Sequence, residues 1–212
     1  MRIKIAPSIL SAEPTRLNEE VKEIEPYSDL IHVDIMDGKF VPPVSFAPSE
    51  IKAVKTKLPK DVHLMVQNPE IKFIDDFADA GANIITIHAE GCKDINKAIE
   101  KIRKKGIKVG ISINPPTSLG VIKPYLNKVD MVLIMSVNPG YPGQKFIPDV
   151  LPKIKELRKL KPNLDIEIDG GINKETVKQA VDAGANVIVA GSSIFGQKDR
   201  KKAVEELRAA AK

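Results

Sequence analysis

Strand-like and helix-like segments alternate eight times along this chain of 212 residues, and this alternation constrains the fold more than any other feature. The β-branched, strand-like runs are residues 4–10, 30–35, 61–65, 83–88, 108–113, 130–135, 165–168 and 187–190. The helix-period segments between them are residues 15–24, 49–56, 71–80, 95–105, 121–126, 149–160, 174–183 and 200–211. Each pair takes roughly 26 residues, close to the smallest length for a repeated βαβ unit.

Several strands are apolar throughout, as in 131–135, which is typical of a parallel sheet covered by helices on both faces. Gly81 and Gly184 stand where two of the predicted helices stop. An open doubly wound sheet usually has a glycine-rich loop after its first strand, and this chain has none there. We therefore predict one α/β domain over residues 1–212, folded as a (β/α)8 TIM barrel.

Composition excludes several classes of protein. The single cysteine, Cys92, excludes an internal disulfide framework and suits a reducing cytosol. No uninterrupted apolar stretch approaches the ~20 residues that span a membrane, and no signal peptide precedes the first strand. The net charge of +5 lies mostly on helices, and Trp is absent, so we expect no nucleic-acid partner. A cytoplasmic location is the expectation.

Histidines and aspartates stand near the ends of predicted strands, where a barrel builds its active site. His32, Asp34, His63 and Asp169 together offer two imidazoles and two carboxylates from three strands. A buried aspartate is costly unless it is paired or binds a metal. The set predicts a divalent-metal site with carboxylates positioned for proton transfer. His88 ends another strand and suits a structural position equally well.

Two further groups stand at the same predicted rim. Glycine-containing loops, in which a backbone N–H can approach an anion closely, predict a phosphate site. Their residues are Gly140, Tyr141, Pro142, Gly143, Gly170, Gly171, Gly191 and Ser192. Met36, Met65 and Met135 also end strands and could form an apolar wall that excludes water from a charged intermediate.

The motifs together resemble the ribulose-phosphate 3-epimerase family. They are residues 7–11, 32–38, 40–42, 63–65, 139–141, 143–146, 169–172 and 190–195, in family order over essentially the whole chain. The resemblance implies interconversion of D-ribulose 5-phosphate and D-xylulose 5-phosphate through a metal-stabilised enediolate. It implies one divalent ion held by His32, Asp34, His63 and Asp169, with Asp34 and Asp169 as the two acid–base groups.

The same resemblance implies that Ser8 and His63 contact the substrate and that the chain forms a homo-oligomer. The ligand set suits Zn, Fe(II), Mn or Co, and the sequence does not choose among them. Pro43, Ala47 and Pro142 depart from the family pattern. Because proline has no N–H, Pro142 removes one possible phosphate contact.

Those departures leave an alternative open: an epimerase of a related ketohexose 6-phosphate, such as allulose 6-phosphate. A decarboxylase of the related barrel type would need an Asp-x-Lys-x-x-Asp strand motif, which is absent. A Schiff-base aldolase would need a lysine near a strand's carboxyl end, and the strands have none there. A non-catalytic sugar-phosphate-binding barrel is the remaining hypothesis.

Overall fold

The computed structural model describes all 212 residues, and its centre is a sheet of eight parallel strands. The strands are β1 (Lys4–Pro7), β2 (Ile31–Met36), β3 (Lys60–Met65), β4 (Ile84–His88), β5 (Lys108–Ile113), β6 (Met131–Met135), β7 (Asp165–Asp169) and β8 (Val187–Ala190). Each pairs with the next from β2 to β8, and β8 pairs with β1. A parallel bridge between Ser8 and His32 joins β1 to β2. The predicted (β/α)8 barrel is confirmed.

Helices cover the outside of this barrel. They are α1 (Leu17–Ile24), α2 (Pro48–Ala53), α3 (Phe73–Asp79), α4 (Ile95–Lys104), α5 (Leu151–Leu160), α6 (Val177–Ala183), α7 (Ser192–Phe195) and α8 (Arg200–Ala210). None of them combines the length and apolar character needed to cross a membrane.

Two predicted elements were wrong. The helix expected over 121–126 is instead two 3-10 turns, Leu119–Val121 and Lys123–Tyr125. Pro124 has no N–H, and its ring would clash with the preceding turn of an α-helix, so a helix cannot run through it undistorted. The first strand ends at Pro7 rather than at residue 10, and Ile9–Ser11 is a 3-10 turn. A short apolar run does not by itself distinguish a strand from a buried turn.

The core has two parts because strand side chains alternate between the two faces of the sheet. Outward-facing residues such as Ile5, Val33 and Ile85 belong to a cluster of 49 buried residues between strands and helices. Inside the barrel, a second cluster near the amino ends of the strands is wholly apolar. It consists of Ala6, Leu30, Ile84, Met131, Val187 and Val189. The opposite end of the interior carries the polar residues described next.

Candidate active site

Three strands bring the four predicted metal ligands together. His32 and Asp34 are two apart on β2 and face the same side, and Asp34 is in register with His63 on β3. Asp169 is the last residue of β7 and is in register with Met135 on β6. His32 and His63 are fully buried. Parallel register therefore brings the four side chains together inside the barrel, with Asp169 at the carboxyl end and His32 deepest along its strand.

The spacing of the four side chains suits one metal ion. His63 Nδ1 lies 3.0 Å from Asp34 Oδ1, 3.4 Å from His32 Nε2 and 3.8 Å from Asp169 Oδ2. His32 Nε2 lies 3.3 Å from Asp34 Oδ1 and 3.8 Å from Asp169 Oδ2. Two ligand atoms each about 2.1 Å from one zinc ion lie roughly 3.4 Å apart in tetrahedral geometry. The two-histidine, two-carboxylate set therefore fits a divalent cation in both chemistry and spacing.

The pKa values of the two carboxylates in this cluster are shifted in opposite directions. Burial raises the pKa of Asp34, but the His32 charge and the close side-chain contacts with both histidines outweigh burial and lower it far below its usual range. Burial, together with the charge of Asp34, raises the pKa of Asp169 to about 7. Burial lowers the pKa of His32, but Asp34 and Glu167 outweigh burial and raise it well above its ordinary value. Two nearby carboxylates thus differ in their affinity for a proton.

The second ring nitrogen of His32 faces a buried acidic pair that sequence analysis did not single out. His32 Nδ1 lies 2.9 Å from Asp61 Oδ2 and 3.5 Å from Glu167 Oε1, and both acids are fully buried. Burial and the charge of Asp61 raise the pKa of Glu167 well above its ordinary value. The sequence did offer one signal for this pair. Asp61 precedes His63 by two positions and Glu167 precedes Asp169 by two, and residues two apart on a strand face the same side.

The second ring nitrogen of His63 faces the third histidine. His63 Nε2 and His88 Nε2 are 2.7 Å apart, and His88 Nδ1 lies 3.4 Å from Glu90 Oε2. Burial lowers the pKa of His88 to about 4. Burial raises the pKa of Glu90, but hydrogen bonds from His88, Thr117 and Asn114 lower it to about 2. His88 therefore contacts a candidate metal ligand, and it does not line the cavity described below.

A cavity of about 760 Å³ opens above Asp34 and Asp169 at the carboxyl ends of the strands. Its lining includes every predicted substrate-contacting residue except His63, which lies beneath its floor. These residues are Ser8, Met36, Met65, Met135, Gly140, Tyr141, Pro142, Gly143, Gly170, Gly171, Gly191 and Ser192. The lining also contains polar residues that sequence analysis did not select, including Ser11, Gln144 and Ser193.

The cavity wall is built so that side chains are excluded at two glycines. Gly171 has a φ of +64°, and a Cβ added there would lie 2.4 Å from the backbone nitrogen of Phe146. A Cβ at Gly191 would lie 2.5 Å from the Ser11 hydroxyl oxygen. Beside Gly191, the Ser8 hydroxyl donates to Asp34 Oδ2 at 2.6 Å. The cavity thus combines a bare backbone wall, suited to an anion, with an oriented carboxylate.

Comparison with known proteins agrees with this geometry. A sequence model of the ribulose-phosphate 3 epimerase family matches residues 4–195. Ribulose-phosphate 3-epimerase of Bacillus subtilis is 49% identical, and the match covers 97% of this chain and 98% of that protein. The protein of the same name from Escherichia coli is 41% identical, over 96% of this chain and 94% of its own length.

Solved structures of other enzymes share the fold at low identity. The 3-hexulose-6-phosphate synthase of Salmonella typhimurium superimposes with a TM-score of 0.74 at 18% identity, covering 99% of this chain and 98% of that one. The 3-keto-L-gulonate-6-phosphate decarboxylase of Vibrio cholerae gives 0.74 at 15% identity, covering 100% and 98%. At such identities these similarities concern the barrel alone.

Proposed function

The chain belongs to the ribulose-phosphate 3-epimerase family and is an epimerase, and we propose that it inverts C3 of D-ribulose 5-phosphate to give D-xylulose 5-phosphate. The proposed route is proton transfer by two bases, Asp34 and Asp169, through an enediolate of the substrate. One observation carries it: two carboxylates from different strands meet the same histidine nitrogens at the floor of one cavity.

The two carboxylates would work from opposite faces of the substrate. Because C3 lies next to a ketone, loss of its proton leaves a planar enediolate, and return of a proton on the other face inverts the centre. Asp34 is ionised at neutral pH and held by the Ser8 hydroxyl, which suits it to remove the proton. In the metal-free site burial and the charge of Asp34 raise the pKa of Asp169 to about 7, so Asp169 is the carboxyl that more readily holds a proton to deliver, and the two exchange roles in the reverse direction.

The four ligand residues His32, Asp34, His63 and Asp169 would hold one divalent ion: Zn, Fe(II), Mn or Co. When bound, such an ion supplies positive charge that stabilises negative charge on substrate oxygens. Met36, Met65 and Met135, each at most 4% exposed, would exclude water from that side of the cavity. Water exclusion strengthens the electrostatic interactions within the site.

The phosphate of the substrate would lie against the glycine loops of the cavity wall. Gly170 and Gly171 follow β7, and Gly191 and Ser192 follow β8. Loops after the seventh and eighth strands often bind phosphate in barrels of this type. Because the same cavity is lined by these loops and by Asp34 and Asp169, a phosphate bound there would leave the sugar carbons over the two carboxylates. A cytoplasmic location and a homo-oligomeric assembly stay predictions.

Proton NMR of D-ribulose 5-phosphate in D₂O tests the proposal. We expect metal-stripped protein to be inactive, and readdition of Zn²⁺, Mn²⁺, Co²⁺ or Fe²⁺ to produce xylulose 5-phosphate deuterated at C3. Solvent deuterium at C3 follows because the carboxylates exchange their protons with water between turnovers. Metal-restored protein that acts on allulose 6-phosphate and leaves the pentose unchanged would establish the ketohexose alternative instead. Inactivity on both sugars would indicate a non-catalytic binding barrel.

A further inference from the structure

His63 is connected to the protein surface by two side chains that the proposed reaction does not use. His88 is fully buried and lies between His63 and Glu90, whose side chain is 23% exposed. The contacts run from His63 Nε2 to His88 Nε2 at 2.7 Å, and from His88 Nδ1 to Glu90 Oε2 at 3.4 Å. The other nitrogen of His63, Nδ1, faces the candidate metal ligands.

The donors and acceptors from Glu90 through His88 to His63 fix the direction of the hydrogen bonds between these three side chains. Glu90 Oε1 accepts from the backbone N–H of Asn114 at 2.8 Å and from the Thr117 hydroxyl. A carboxylate accepts only, so its Oε2 needs an N–H on His88 Nδ1. A neutral imidazole has one N–H and one lone pair, which leaves the lone pair on His88 Nε2. The hydrogen between the two Nε2 atoms then belongs to His63.

We propose that Glu90 and His88 are positioning residues that hold His63 in the tautomer with its proton on Nε2 and its lone pair on Nδ1. That lone pair faces Asp34 Oδ1 at 3.0 Å, so a cation bound between the two atoms would relieve the repulsion between them. Glu90 thus prepares the site for a metal ion without touching it. The inference rests on the proposed metal centre and extends it by two residues.

The variant Glu90→Gln tests the direction of these hydrogen bonds, because glutamine has nearly the same shape as glutamate. Its amide oxygen has to stay with the Asn114 N–H and the Thr117 hydroxyl, because both are donors. The amide NH₂ then faces His88 Nδ1, which reverses the hydrogen bonds and leaves the proton of His63 on Nδ1. Loss of partners that orient a metal-binding histidine typically weakens metal binding about 10–100-fold. We expect that loss of Zn²⁺ affinity, measured by competition with a chelating dye.

Two variants of His88 test the same inference by rescue of Zn²⁺ affinity. Glutamine at position 88 also presents one acceptor and one donor, so His88→Gln should keep most of the Zn²⁺ affinity that His88→Leu loses. Asp94→Asn is the charge-matched control, because Asp94 lies in the same loop as Glu90 and caps α4 through the Lys97 N–H at 3.1 Å. Its Zn²⁺ affinity should equal that of the unmodified chain.

Nitrogen-15 NMR of the histidine rings gives a readout that altered folding does not imitate. In the unmodified, zinc-free chain we expect the His63 proton on Nε2, and in Glu90→Gln on Nδ1. Equal Zn²⁺ affinity and the same His63 tautomer in both proteins would overturn the inference. Absence of Zn²⁺ binding to the unmodified chain would instead contradict the proposed metal centre. Circular dichroism of each zinc-free variant establishes that it is folded.

Discussion

The two ends of the barrel interior are built from the same strands and have opposite chemistry. The amino end is filled by six apolar side chains, among them Met131 and Val187, and the charged side chains of Lys4 and Asp165 there form a partly exposed ion pair. The carboxyl end buries three histidines and several acids at 0–4% exposure. Buried apolar groups stabilise the fold, whereas buried charges cost free energy unless they are paired or bind a metal.

This contrast indicates that the two ends of the barrel interior contribute to different properties of the protein. The apolar end closes the interior and has no contact with the cavity above Asp34 and Asp169 except through Val189. At the other end each histidine of the candidate metal site has a second partner, Asp61 for His32 and His88 for His63. Stability should therefore depend mainly on the first end, and metal binding and turnover on the second.

The largest effect we expect is at the polar end, in Asp169→Asn. An amide cannot take up or deliver the C3 proton, so turnover should fall roughly 10²–10⁴-fold, the range of one acid–base group. The fold should persist, because the amide has the shape of the carboxylate and no charge to bury. The deuterium-exchange assay and circular dichroism measure both properties. Turnover within tenfold of the unmodified protein would rule out the two-carboxylate mechanism.

At the apolar end, Met131→Ala should have the opposite outcome. Met131 is 2% exposed inside the six-residue cluster, and such a truncation typically lowers the free energy of unfolding by about 2–5 kcal/mol. Turnover per folded molecule and Zn²⁺ affinity should not change. Urea unfolding of the zinc-free protein measures the first property. A loss of Zn²⁺ affinity in this variant would contradict the division between the two ends.

Addition of metal should stabilise the whole fold through contacts made at the polar end alone. Free Zn²⁺ at one hundred times its dissociation constant from the unmodified protein should raise the free energy of unfolding of that protein by about 2.7 kcal/mol. The variants are compared at the same Zn²⁺ concentration. For a chain of this size, that is a rise of roughly 5–10 °C in the melting temperature. Met131→Ala should show the same increment and Asp169→Asn a smaller one. Equal increments in the unmodified protein and in Asp169→Asn would remove Asp169 from the ligand set.

The smallest effect we expect is a pH dependence of metal binding. Asp169 binds a cation only when ionised, and its pKa in the metal-free site is about 7. As the pH falls below that value, a proton increasingly occupies the carboxylate and the metal has to displace it. From pH 8 to pH 6 this one group should weaken Zn²⁺ affinity about tenfold. Asp169→Asn lacks this contribution, so its affinity should depend less steeply on pH over the same interval.

Much of the architecture was readable from local patterns. The strand–helix alternation predicted the barrel, and period two placed His32 and Asp34 on one side of β2. The carboxyl-end rule then grouped these residues with His63 and Asp169, whose ligand atoms lie within 4.8 Å of one another. Local patterns did not predict the turns around Pro124, because apolar spacing there suggested a helix that proline interrupts.

The partners of the histidines were decided only by the tertiary structure. The two-residue spacing places Asp61 and Glu167 on the same strand faces as His63 and Asp169, but it does not show which side chain either acid meets, and Glu90 has no such signal. Strand register and barrel closure bring Asp61 and Glu167 against one ring nitrogen of His32. Spacing along a chain reports which face of a strand a residue occupies, because that depends on local geometry. Which distant side chain it meets there depends on how all eight strands pack together.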